Sequence, residues 1–125
     1  MMRVVVVEDD VQLRTVLAVF FRSMGAEVLA QSGDGQDALE RLEQDALQPD
    51  LILTDCQMPR LDGISMVRQL RQRGDQTPVI MMSGQTDPQV QQLALNAGVN
   101  QWLTKPLSVG TLNLAIVQTF RGTAA

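Results

Sequence analysis

Short apolar runs alternate along the chain with longer stretches in which apolar residues recur every three or four positions. The runs predict strands near Arg3 to Val7, Glu27 to Ala30, Asp50 to Thr54, Pro78 to Met82 and Asn100 to Leu103. The first, third and fourth are nearly all Val, Ile, Leu or Met, the composition of central strands covered on both faces. Helical spacing joins Val11, Leu13, Val16, Leu17 and Phe20, with Asp10 as a candidate N-cap and Gly25 as a stop. The same spacing returns in Ala38-Leu39-Leu42, Ile64-Val67-Leu70, Val90-Leu93-Ala94-Ala97 and Leu112-Ala115-Ile116, and Gly98 follows the fourth of these stretches. Strict strand-helix alternation of this kind predicts a doubly wound α/β sandwich of three layers around a five-stranded parallel sheet. Neither a linker-like stretch nor an internal repeat divides residues 1–125, which read as one domain.

Composition adds limits. A chain of 125 residues buries roughly two thirds of its unfolded surface and needs no staples. Although 45% of residues are hydrophobic, no apolar run approaches the ~20 residues of a membrane span. The first strand ends at Glu8, too soon for a signal peptide's apolar core, and a single cysteine excludes an internal disulfide. These features predict a cytoplasmic protein with no membrane partner. Net charge is −4, which argues against nucleic-acid binding by this chain alone.

Charged groups stand just after three predicted strands: Glu8-Asp9-Asp10, Asp55 and Lys105. In a parallel sheet the carboxyl ends of the strands form one edge, and ligands bind in the crevice there. Glu8, Asp9 and Asp55, with a backbone carbonyl just past Asp55, offer the oxygen ligands that Mg2+ prefers. Without a metal, such carboxylates repel one another and resist ionisation. With one, Asp55 stays an anionic nucleophile able to attack a phosphoryl group, and Lys105 is suited to stabilise the transferring oxygens as a point charge. Ser83, directly after the fourth strand, could donate its hydroxyl to a phosphoryl oxygen. Taken singly, each feature has a plainer reading: an acidic pair as a helix cap, Lys105-Pro106 as a turn, Ser83-Gly84 as a loop, Cys56 as an incidental thiol. What favours chemistry is their coincidence on one edge of the sheet.

These residues resemble the receiver domain of two-component response regulators over the whole chain. Glu8 and Asp9 match its acidic pair, and Asp55 in Leu53-Thr54-Asp55-Cys56-Gln57-Met58-Pro59, followed by Asp62-Gly63, matches its phosphoacceptor and loop. Ser83 matches the switch hydroxyl, and Lys105-Pro106 matches the lysine with its customarily cis proline. The resemblance implies a flavodoxin-like strand order 2-1-3-4-5. It also implies Mg2+-dependent transfer of phosphate from a histidine kinase or phosphotransfer protein onto Asp55, with Gln57 lending the metal a backbone carbonyl. Phosphorylation would draw Ser83 inward and turn the aromatic residue three before the lysine, here Trp102 where Tyr or Phe is usual. Gly84 replaces the usual alanine and leaves room for the indole. Gln57 and Gln85 hold the two positions that tune phosphate lifetime in this family. Such a domain phosphorylates and dephosphorylates itself without being a turnover enzyme on a separate substrate.

The C-terminal third carries a separate signal. The chain has 10 basic and 14 acidic residues, yet from Pro88 to Phe120 only Lys105 is charged. The last helix has Val109, Leu114, Val117 and Phe120 beyond its inward stripe, so part of its apolar surface is expected to face outward and to mark an interaction site. An output partner or a second copy would bind there, across the fourth helix, fifth strand and fifth helix. No output domain follows the fifth helix, which points to a stand-alone receiver or a fragment of a longer regulator or hybrid kinase. Among other functions, an aspartyl hydrolase of related fold would want an acid where Gln57 stands, and a flavin-binding relative would want a Gly/Ser/Thr-rich loop where Glu8-Asp9-Asp10 stands. The runner-up is a weakly phosphorylated or degenerate receiver that acts only as a protein-interaction module.

Overall fold

The computed structural model describes residues 1–84 and 87–123. Strands β1 (Arg3–Val7), β2 (Glu27–Ser32), β3 (Leu51–Asp55), β4 (Val79–Ser83) and β5 (Gln101–Thr104) alternate with helices α1 (Val11–Ser23), α2 (Gly35–Gln44), α3 (Gly63–Gln72), α4 (Pro88–Ala97) and α5 (Val109–Thr123). The strands pair in parallel in the order β2-β1-β3-β4-β5. This is the flavodoxin-like order expected from the sequence.

Side chains alternate across the sheet and build one apolar layer on each face. Val5, Val7, Ile52, Val79 and Met81 meet α2, α3 and α4 on one side. Val4, Val6, Leu53, Ile80 and Met82 meet Leu17 and Phe21 of α1 and Leu112, Ala115 and Ile116 of α5 on the other. Residues 51–55 and 79–83 are buried throughout, as strands covered on both faces must be.

Helix ends follow local chemistry. Asp10 caps α1 by accepting the N–H groups of Gln12 and Leu13, as its position predicts. Gly25 stands one residue past the cap residue Met24 with φ 86°, and its N–H donates to the Arg22 carbonyl while that of Ala26 reaches Phe21. The left-handed conformation that closes this motif is one glycine adopts without a Cβ penalty. Gly98 ends α4 in the same region, with φ 110°.

Some sequence expectations shift. Strands β3, β4 and β5 each begin and end one residue later than expected, and β2 extends to Ser32. Asp50 does not enter β3; its carboxylate accepts the Arg3 N–H at 2.8 Å. Val16 was expected on the inward stripe of α1 but is 61% exposed, as is Val11 at 62%, while Leu17, Ala18 and Phe21 are buried. A residue turns by about 100° from its neighbour on a helix, so only a limited arc around Leu17 faces the sheet. Leu93 likewise leaves the expected α4 stripe at 48% exposure, with Ala94 alone fully buried there. Phe120, expected outside the inward stripe of α5, packs against the core beside that helix.

Candidate acidic functional site

Strand register places the charged groups together. Val7 lies opposite Thr54 and Ser32, Asp55 opposite Met82, and Ser83 opposite Thr104. The chain therefore leaves β1, β3, β4 and β5 at one edge, carrying Glu8, Asp55, Ser83 and Lys105 with it. Backbone bonds continue the sheet beyond the strands: Glu8 N–H donates to Ser32, Cys56 N–H to Met82 and Lys105 N–H to Ser83.

Carboxylate oxygens of Glu8, Asp9 and Asp55 lie within 4.8 Å of one another. Lys105 Nζ sits against two of these groups, 2.7 Å from Glu8 Oε1 and 3.3 Å from Asp55 Oδ2. The other Glu8 oxygen accepts the Asp10 N–H at 3.2 Å, and Arg14 donates to the Glu8 carbonyl at 2.8 Å. Asp55 Oδ1 accepts the N–H of Cys56 at 2.9 Å. One lysine thus faces three acids, and among the described residues the cluster's candidate ligands are all carboxylate oxygens. That donor set fits a hard divalent cation such as Mg2+ and gives a soft metal nothing to prefer.

Burial divides the acids. Glu8 is fully buried. Its carboxyl is pushed up from 4.5 to about 7, first by burial; the Lys105 hydrogen bond opposes the rise and Asp9 adds to it. Asp9 is exposed, and its hydrogen bond with Glu8 holds it below the ordinary carboxylate value. Burial tends to lower Lys105, but hydrogen bonding to Glu8 and the charge of Asp55 outweigh it and leave the lysine above its ordinary value. Together these groups keep the lysine charged and let the cluster hold a proton on Glu8 below about pH 7 when no metal is present.

Among the remaining predicted residues, Ser83 is buried at the end of β4, one strand over from Asp55. Trp102 lies opposite Met81 on β5, half-buried against the core beside α2 to α4 and outside the charged cluster. Gln57 is exposed, two residues past Asp55. The peptide bond between Lys105 and Pro106 is cis, as expected. Gln85 lies outside the described residues. Cys56 is buried and its thiol is pushed up to about 11 by burial and then by Asp55 and Asp62, which makes it a poor nucleophile near neutral pH and agrees with its reading as incidental.

Two supports extend the sequence reading, which named Gly63 only as part of the loop and did not name Arg14. Arg14, four residues after Asp10, returns from α1 to hold the backbone of the acidic pair. Gly63 seals the loop after Asp55: its N–H donates to the Cys56 carbonyl, and a Cβ there would lie 2.3 Å from the Asp55 carbonyl oxygen. Only a residue without Cβ permits that approach.

Comparison with known proteins agrees with this geometry. Residues 4–117 match the family described as the response regulator receiver domain. The Regulator of RpoS from Escherichia coli K12 is 38% identical over 105 residues, covering 84% of this chain and 30% of that protein. The transcriptional regulatory protein PdtaR from Mycobacterium tuberculosis H37Rv is 33% identical over 114 residues, 91% of this chain and 54% of the relative. The chain therefore spans about a third to a half of the length of these curated relatives. Among solved structures, the receiver domain of the Francisella response regulator 1452 superposes with a TM-score of 0.86 at 29% identity, covering 98% of this chain and 99% of that one. Its acidic strand-end cluster, its strand order and these matches agree: the chain belongs to the response regulator receiver domain family.

Proposed function

We propose that this domain takes a phosphoryl group onto Asp55, with Mg2+ held by Glu8, Asp9, Asp55 and the Gln57 carbonyl, from a histidine kinase or histidine phosphotransfer protein. The observation that carries the reading is Lys105 Nζ poised 2.7 Å from Glu8 and 3.3 Å from Asp55 beside a third carboxylate. An Asp55 oxygen bonds to phosphorus while the bond from phosphorus to the donor's imidazole nitrogen breaks, and the imidazole leaves with the electron pair. Lys105 stays charged throughout and meets the oxygens of the incoming group. In this reading Ser83, buried at the end of β4, donates its hydroxyl to one of them. When bound, Mg2+ would supply positive charge that offsets the carboxylates and the transferring phosphoryl oxygens. The cluster opens beside a groove of about 600 Å3 between α1 and the β5–α5 loop, lined by Gln12, Leu13, Val16, Lys105 and Leu107, which gives a donor protein a route to Lys105 and its neighbours.

Output leaves through the α4-β5-α5 face. Leu95 of α4 and Leu114 and Val117 of α5 are exposed, and Lys105 is the sole charge between Pro88 and Phe120. A partner, or a second copy, binds such a face by apolar burial. No helix among the described residues is long and apolar enough to cross a membrane. The cytoplasm, where kinase donors and a reduced Cys56 are at home, is the proposed location. Incubation with acetyl phosphate and Mg2+ tests the reading: covalent incorporation supports it, and none would leave a receiver that works by protein interaction alone.

A further inference from the structure

We infer that Arg60 and Asp34 are positioning residues for the loop that follows Asp55 and carries Gln57, an inference that rests on the functional reading above. Between β3 and α3 the chain makes a tight turn at Arg60, whose φ is 64°, while Leu61 N–H donates to the Pro59 carbonyl at 2.7 Å. Such a three-residue turn is rare and strained, and a left-handed arginine persists only where its surroundings hold it.

Two contacts from the β2–α2 junction do so. Arg60 Nε lies 3.2 Å from Asp34 Oδ2. The Leu61 carbonyl accepts the Gly35 N–H at 3.0 Å, and a Cβ on Gly35 would lie 2.6 Å from that oxygen. Asp34 uses its two oxygens separately, Oδ1 capping α2 through the Asp37 N–H at 2.8 Å and Oδ2 facing Arg60. The other end of the loop is fixed by Gly63 on the Cys56 carbonyl. Gln57 lies between these anchors, so the direction of its carbonyl depends on both. Releasing Arg60 lets the Gln57 to Pro59 segment sample more conformers, and only a fraction of them present the carbonyl to a cation.

Half the Arg60 side chain is in water, so the pair contributes little to global stability. Its effect falls on loop order. Magnesium titration of the full chain by calorimetry, paired with metal-free melting, tests this. Asp34→Asn keeps an equally good helix cap and removes the charge. Arg60→Gln keeps the length, and Arg60→Lys keeps the charge. Each neutral variant should weaken Mg2+ binding roughly two- to fivefold, the range of an exposed ion pair. The double variant should be no weaker than either single one, Arg60→Lys should stay close to the parent, and metal-free melting should not move. Parental affinity in both neutral variants, additive losses in the double variant, or a matching fall in metal-free stability would overturn the inference while leaving the functional reading intact. Asp9→Asn separates the two: if it binds Mg2+ as the parent does, the reading of the acidic cluster fails and the inference falls with it.

Discussion

Glu8 makes the stability of the metal-free protein sensitive to pH. Its carboxyl is fully buried and pushed up from 4.5 to about 7. A raised acid binds its proton more tightly in the folded state, so its stabilising contribution is complete below 4.5 and is lost as pH climbs to about 7. The interval from 4.5 to about 7, at about 1.4 kcal/mol per pH unit, gives a loss of about 3 kcal/mol. The chain has no histidine, so no imidazole contributes to the change. Glu8→Gln removes the titration. The amide oxygen still accepts from Lys105, while the Asp10 N–H at 3.2 Å loses its partner, at about 1 kcal/mol. Denaturant unfolding in EDTA from pH 5 to 8 reads the result. The parent should lose stability steadily to about pH 7 and then level off; the variant should be flat, weaker than the parent at pH 5 and stronger at pH 8. Parallel curves, or a parent that gains stability toward pH 7, would refute the burial argument.

Other consequences follow from single contacts. Gly63→Ala forces a Cβ to within 2.3 Å of the Asp55 carbonyl, so it should cost about 1–3 kcal/mol in denaturant unfolding and slow phosphorylation by acetyl phosphate; an unchanged midpoint would contradict the packing. Trp102 is the only tryptophan and there is no tyrosine, so beryllofluoride with Mg2+ should change its emission, and Ser83→Ala should blunt the change. Constant emission with bound beryllofluoride would remove Trp102 from the switch. Association through the α4-β5-α5 face should persist at high salt and fail with Leu114→Glu or Val117→Glu in sedimentation, since apolar burial rather than charge drives it. A complex that dissolves in salt, or ignores both substitutions, places the interface elsewhere.

Much of this was legible before any coordinates. Strands buried on both faces announce themselves as unbroken apolar runs, and Glu8, Asp55, Ser83 and Lys105 had to share an edge once the strands were read as parallel. Amphipathic spacing was less exact. Val16 fits a three-to-four residue rhythm as well as Leu17 does, and only the docking angle of α1 decides which faces the sheet. Contacts between loops left no local pattern at all. Arg60 and Asp34 are 26 positions apart and belong to different βα junctions, and Arg14 reaches a carbonyl, which sequence does not display. The clustering of carboxylates pointed to resisted ionisation, but that Glu8 in particular is the raised acid follows from its complete burial, which outweighs the Lys105 hydrogen bond.

The central claim is the identity of the phosphoacceptor. After reaction with acetyl phosphate and Mg2+, borohydride converts an aspartyl phosphate to homoserine, which tandem mass spectrometry locates in the peptide sequence. The modification should fall on Asp55 alone, vanish in EDTA and be absent from Asp55→Asn. Homoserine at Asp9 or any other aspartate, the corresponding alcohol at a glutamate, or undiminished incorporation into Asp55→Asn would contradict the account.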